Sequence, residues 1–326
     1  MLAPMAGASD PPFRRVAQAF GCRYSVSEIV AAEPLARARR DVLARAAGRG
    51  LSPLVVQLAG REPAWIAAGA RIAADLGADV IDLNMGCPSK QVTSGACGSA
   101  LMRDLDRASR IIDAAVESAA PLPVTVKMRL GWDRDCLNAA ELAIRAAQSG
   151  VRLLVVHGRT RNQFFKGQAD WAAIRAVVEA VALPVIANGD IADAASARAA
   201  LAQSGAAGVM IGRAAMGKPW LVGAVATALR GARPHEQTPS AAVRWSALAA
   251  LVEDSLAFYG EGLGLRIVRK QLAAAVDGEA WPEAEPARKA MRLSLCAEQS
   301  AARVLGRLEQ LAQAHPADVG GFARAS

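Results

Sequence analysis

Through the first two thirds of the chain, short β-branched runs alternate with longer stretches of helical periodicity. Residues 2–5, 24–27, 53–57, 80–83, 124–127, 153–157, 184–188 and 208–211 are compact apolar runs bounded by Gly, Pro or polar residues, and they read as strands. Between them come stretches with a 3.6-residue apolar period. Asp10-Pro11-Pro12 predicts a capped helix that Gly21 stops, and further helices are expected over 63–76, 104–119, 138–148, from near Trp171, and over 194–202. Strand followed by helix, repeated eight times, predicts an α/β fold, a (β/α)8 TIM barrel.

After Pro219 the pattern changes. One more helix runs to about residue 229, and the polar, turn-rich segment 231–239 reads as a linker. From 240 to about 314 only helical periodicity remains, with breaks expected at 260–264 and 281–286, so a small all-α bundle should follow the barrel. The expected division is therefore a barrel domain over 1–238 and a helical domain over 239–326.

Composition narrows the class. Apolar residues make up 53% but aromatics only 4%, which favours helices packed through small side chains over a β-sandwich. Five scattered cysteines, without a Cys-x-x-Cys or nearby paired His, argue against a zinc site or a disulfide framework and for a reducing compartment. No metal is expected. The start lacks signal-peptide features and no apolar run is long enough to span a membrane, so the expected location is cytoplasmic, with no membrane or protein partner implied and a monomer expected. The net charge of +8 and pI near 9.7 suit an anionic partner such as nucleic acid, though an arginine-rich composition alone gives the same figure.

The strand ends carry the candidate chemistry. Gln57, Asn84, Lys127, His157 and Asn188 close five of the apolar runs, and Gly212-Arg213 follows the eighth. In a parallel barrel these ends converge on one mouth. Asn188-Gly189-Asp190 and Gly212-Arg213 fall after strands seven and eight, where barrels bind phosphate through backbone N–H groups. Lys127 reads in three ways: a cation facing a cofactor or its reduced anion, a Schiff-base lysine, or a salt-bridged barrel residue. His157 has no second ligand beside it, which favours hydrogen bonding over metal binding. Past the fourth strand, Asn84-Met85-Gly86-Cys87-Pro88 sets an amide and a thiol on one tight turn.

Pro4-Met5-Ala6-Gly7, Asn84-Met85-Gly86-Cys87-Pro88-Ser89-Lys90, Lys127-Met128-Arg129-Leu130-Gly131-Trp132, His157-Gly158-Arg159-Thr160-Arg161, Asn188-Gly189-Asp190 and Ile211-Gly212-Arg213 together resemble the signature blocks of the tRNA-dihydrouridine synthases. Phe258-Tyr259-Gly260 and Arg266-Ile267-Val268-Arg269-Lys270 extend the likeness, towards the bacterial B-type branch, into the helical part. The resemblance implies an FMN-binding barrel and a helical tRNA-binding domain that use NADPH to reduce a uridine in tRNA to dihydrouridine. It implies that Pro4, Met5 and Ala6 line the flavin, that Gln57 and Lys127 hydrogen-bond its ring with His157 alongside, and that Asn188, Gly189, Asp190, Gly212 and Arg213 hold its phosphate. Cys87 would be the proton donor, and Asn84 and Arg129 would orient the uracil. Two residues depart from the B-type pattern: Cys97 stands where Ala is usual, and Gln271 where His is usual.

A thiol of ordinary pKa, about 8.5, is mostly protonated at neutral pH, as a proton donor must be. Three rivals remain at this level: a flavin barrel reducing a small pyrimidine or enone, a Lys127 Schiff-base lyase, and a non-catalytic RNA-binding module. Residues 240–326 carry 10 basic and 10 acidic residues, so the whole positive excess lies before them. Arg266, Arg269 and Lys270 nevertheless recur at helical spacing, as do Arg288, Lys289 and Arg292, and each set is expected to form a basic stripe for tRNA.

Overall fold

A computed structural model describes residues 1–231, 239–278 and 285–314. Most of the expected linker and of the break at 281–286 lies outside the described residues. Two compact units result, Met1–Ala6 with Tyr24–Gly212, and Gly7–Arg23 with Arg213–Ser326.

The first unit is built on parallel strands β1 (Val30–Ala31), β2 (Val55–Ala59), β3 (Val80–Met85), β4 (Val124–Arg129), β5 (Leu153–His157), β6 (Val185–Asn188) and β7 (Gly208–Met210), each beside the next in chain order. Bridges close the ring: Leu2 pairs with Ser25 and Ile211, and Val26 pairs with Val55. The architecture is the expected (β/α)8 barrel: its first strand is contracted to bridges at Leu2, and its second is split between the bridges at Ser25 and Val26 and β1. Pro4 has no N–H to extend a ladder at Leu2. After Val26, the Ser27 hydroxyl accepts the Gln57 N–H at 2.8 Å, so a side chain replaces the ladder until β1 resumes it. The short helices Ala32–Ala36 and Arg40–Ala46 were not expected, since neither spans enough residues to show a period.

Inside the barrel, Ala3, Val26, Val55, Val80, Val155, Ile186 and Met210 form a buried floor. Burying such an aliphatic side chain is worth about 1.5–3 kcal/mol. The floor supplies that several times over, which leaves the layer above it free to be polar.

The second unit is helical: Pro11–Ala19, Leu221–Leu229, Ala241–Tyr259, Glu261–Gly278, Glu285–Cys296 and Ala301–Ala314. Asp10 caps the first through the Phe13 N–H at 3.1 Å, as its sequence requires, and also accepts from the Tyr259 hydroxyl at 3.1 Å. Arg15 grips Asp254 with two bonds of 2.7 Å. Leu248, Leu251, Val252, Val268, Leu272, Leu295, Val304 and Leu308 are its core. The break expected over 260–264 shrinks to Gly260, at φ +79, because helix resumes at Glu261. Gly264 serves close packing instead: a Cβ there would lie 2.4 Å from the Ser255 carbonyl oxygen. Among the described residues no helix is long and apolar enough to cross a membrane.

Candidate active site

Strand register stacks the polar residues in tiers above the floor. Gln57 lies opposite Asp82, and Asp82 opposite Thr125. One step up, Asn84 faces Lys127; at the strand ends Arg129 faces His157, and His157 faces Asn188. Side chains two residues apart on a strand share a face, so these groups all point into the barrel.

The lowest tier is a closed network. Thr125 Oγ1 and Gln57 Nε2 donate to the two Asp82 oxygens at 2.5 and 2.6 Å, and Asn84 Nδ2 donates to Gln57 Oε1 at 2.7 Å. Gln57 is 0% exposed, and its side-chain oxygen supports Asn84 through this bond. Burial pushes the Asp82 carboxyl up to about 6, against the hydrogen bonds from Thr125 and Gln57.

Above it, Asn84 Oδ1 accepts the N–H groups of Cys87 at 2.9 Å and Gly86 at 3.3 Å. The Cys87 carbonyl accepts from Ser99 Oγ at 2.8 Å, and the Gly86 carbonyl from Arg129 Nε at 2.8 Å. Gly98 lets the loop pass close by, at φ +60, where a Cβ would sit 2.9 Å from the Cys87 carbonyl oxygen. The turn is thus fixed from three sides with its thiol half-buried. Cys97, on the same loop, turns its thiol to the Gly95 carbonyl, and burial raises its pKa.

The Lys127 ammonium donates no hydrogen bond among the described residues, though its backbone is paired in the sheet. Burial, then the neighbouring Arg129, pulls its ammonium down to about 8, while Asp82 and Cys87 act the other way. Arg129 is 2% exposed and braces the loops, donating to the carbonyls of Thr160 at 2.8 Å and Phe164 at 2.9 Å while stacking on Phe165. His157 meets Arg159 through Nε2 at 3.2 Å.

At the ends of β6 and β7, Gly189 takes φ +113, and a Cβ on it would fall 2.7 Å from that of Ala169. The N–H groups of Gly189 and Gly212 donate no hydrogen bond among the described residues. Asn188 is tied to the Met210 carbonyl at 2.8 Å. The Asp190 carboxylate, named with the phosphate-binding residues above, is engaged by buried Arg159 at 2.5 Å and the Ala169 N–H at 2.8 Å. It braces the loop, as suits an anion that would repel phosphate. Pro4, Met5 and Ala6 run past this end of the barrel, with Met5 Sδ 4.0 Å from the Cβ position of Gly212.

Arg213 opens the second unit, in the short helix Arg213–Ala215. Arg266, Arg269 and Lys270 also belong to that unit, where they do not form one free stripe. Arg266 is exposed, but Arg269 donates to the Glu298 carbonyl at 2.8 Å, and Lys270 Nζ lies 2.8 Å from where a Cβ on Gly7 would be. Gln271 bridges its own unit, accepting the Gly217 N–H at 2.7 Å and donating to the Ala8 carbonyl at 2.8 Å.

Asp82, Thr125, Ser99 and Arg159 were missed as site residues by sequence reasoning. An ionisable residue at the centre of the apolar run 80–83 was a signal for the first of these. Thr125 needed the register between strands, and Ser99 and Arg159 the packing of the loops that follow them.

Comparison with known proteins agrees with this architecture. A mutant of morphinone reductase in complex with tetrahydroNAD superposes with a TM-score of 0.51 at 13% identity, over 68% of this chain and 84% of that one, a likeness of fold. The profile of the family described as Dihydrouridine synthase (Dus) matches residues 1–314. A protein of Rhodobacter capsulatus named "Probable tRNA-dihydrouridine synthase" is 54% identical over 285 residues, 86% of this chain and 87% of its own length. One of Xanthomonas axonopodis named "tRNA-dihydrouridine synthase B" is 44% identical over 273 residues, 83% of this chain and 82% of its own. On the sequence blocks, the barrel that carries them and these relatives, this chain belongs to the dihydrouridine synthase family.

Proposed function

We propose that the barrel mouth binds FMN and reduces the C5=C6 bond of a uridine in tRNA to dihydrouridine, with NADPH as reductant and Cys87 as proton donor. The observation that carries this reading is the Cys87 turn, locked by Asn84, Ser99 and Arg129, beside the half-buried Lys127 ammonium, which has no hydrogen bond among the described residues. The donor set suits the cofactor. Lys127 offers a cation to an electron-rich ring carbonyl or anion, and the N–H groups of Gly189 and Gly212, with Arg213 next in the chain, offer the donors a single phosphate needs.

Bound FMN would supply the hydride that adds to C6 of the uracil. Cys87 Sγ–H delivers the proton to C5, and the braced turn keeps that thiol in place. Arg129 acts by holding the Gly86 carbonyl and the β5 loop, and Asn84 by holding the Cys87 N–H. The uridine has to leave its stack to reach the mouth, which favours a loop position in the tRNA. The barrel domain over 1–238 would hold flavin and base, and the helical domain over 239–326 the tRNA body, with the protein acting in the cytoplasm as a monomer. A reductase of free pyrimidines would need no helical unit.

Incubating the purified protein and NADPH with tRNA from a strain lacking the gene tests the reading. Dihydrouridine should appear, and the yellow protein should release FMN on denaturation. Release of FAD, no flavin after reconstitution, or unmodified tRNA would overturn it.

A further inference from the structure

The lowest tier of the site has a direction, and one residue sets it. An ionised carboxylate only accepts hydrogen bonds, whereas a side-chain amide can present either end to a neighbour. Asp82, 1% exposed, receives Thr125 Oγ1 and Gln57 Nε2. Gln57 must therefore turn its nitrogen to Asp82 and its oxygen to Asn84. Asn84, with its nitrogen engaged at 2.7 Å, is left to offer its oxygen to the N–H groups of Cys87 and Gly86 at 2.9 and 3.3 Å. Without the carboxylate, nothing at the Gln57 end would select this order, and only the N–H groups of Cys87 and Gly86 would oppose the reverse. The reversed order would aim the Asn84 NH2 at two N–H donors, and the turn would open.

We infer that Asp82 is a positioning residue whose buried carboxylate sets the polarity of the Gln57–Asn84 amide relay and thereby fixes the turn that carries the Cys87 thiol. Tyr24 and Lys127 also face Asp82, but neither lies on the path to the turn. The relay's catalytic consequence rests on the reaction proposed above. Its structural consequence does not.

The test moves the charge without changing shape, using the FMN-loaded protein. Asp82→Asn leaves the relay free to reverse. In the double variant Asp82→Asn with Gln57→Glu, residue 57 becomes the acceptor-only group, so Asn84 must again donate to it and present its oxygen to Cys87. The rate at which iodoacetamide alkylates Cys87, resolved from the other cysteines by mass spectrometry, reads the turn without tRNA. The rate at which unmodified tRNA oxidises the reduced flavin reads catalysis.

Asp82→Asn should speed alkylation several-fold and slow the tRNA step about tenfold, while the double variant returns both to within about twofold of the parent. A double variant no better than Asp82→Asn, or an Asp82→Asn protein indistinguishable from the parent, would overturn the inference. Should Asp82→Asn fail to fold, the double variant decides alone: parent-like behaviour sustains the relay, and failure contradicts it. If tRNA did not oxidise the parent's flavin, the proposed function would fall and the alkylation arm would still decide on the relay.

Discussion

Lys127 is a titratable cation among the polar residues that point into the barrel. Its pKa is depressed to about 8, so the ammonium is present below that pH and lost above it. An anionic or electron-rich ring should therefore bind more weakly as pH rises. Fluorescence titration of the apoprotein should show FMN affinity falling between about pH 7 and 9, and Lys127→Met should flatten that limb; equal slopes in both proteins would remove Lys127 from the cofactor. Gly189 carries a different demand, for close approach at positive φ. Gly189→Ala meets both backbone strain and a contact 2.7 Å from Ala169, whereas Gly77→Ala, at φ +88 with nothing within 4 Å, meets strain alone. Strain of this kind costs about 1–3 kcal/mol. Thermal melts should thus show the larger loss for Gly189→Ala, and equal losses would show that the tight contact relaxes freely.

Across β2, β3 and β4, the Gln57–Asp82–Thr125 tier trades stability for order. Asp82 has its pKa raised in the fold, so the native state holds a proton that the unfolded chain has already lost between about pH 4 and 6. Stability attributable to this group is full below that window and declines through it. In urea titrations the difference in midpoint between the parent and Asp82→Asn should shift against the parent as pH rises from 4 to 6; a constant difference would mean that Asp82 is not titrating there. This tier also marks how far the sequence could be read. The apolar runs located the strands, and the polar residues at their ends, from Gln57 to Asn188, located the mouth. Which residue stands opposite which is a property of pairing between distant segments, so the bond from Gln57 to Asp82 was not legible, nor was the full burial of Gln57. The runs 2–5 and 24–27 read as strands, yet after Leu2 Pro4 leaves only bridges, and the Ser27 hydroxyl interrupts the second until β1 resumes it.

The molecule as a whole is an oxidoreductase of the tRNA-dihydrouridine synthase kind, with a parallel-barrel unit and a helical unit. The contacts of helix Glu261–Gly278 separate its basic residues by task. Arg266→Ala should leave the melt unchanged and reduce the log-log salt slope of tRNA binding by about one. Arg269→Ala should instead lower the melting temperature, because its guanidinium ties down the Glu298 carbonyl. The opposite pattern would return Arg269 to the RNA. That distinction was invisible in the spacing of Arg266, Arg269 and Lys270, since periodicity gives the face of a helix but not what packs there. The central claim is that Cys87 delivers a proton to uridine in tRNA, and single-turnover oxidation of the reduced flavin by unmodified tRNA tests it most directly. Cys87→Ala should reduce flavin normally and slow its oxidation by tRNA on the order of 100-fold or more, with Cys97→Ala near the parent. Parent-like oxidation in Cys87→Ala, or its loss in Cys97→Ala alone, would contradict the account.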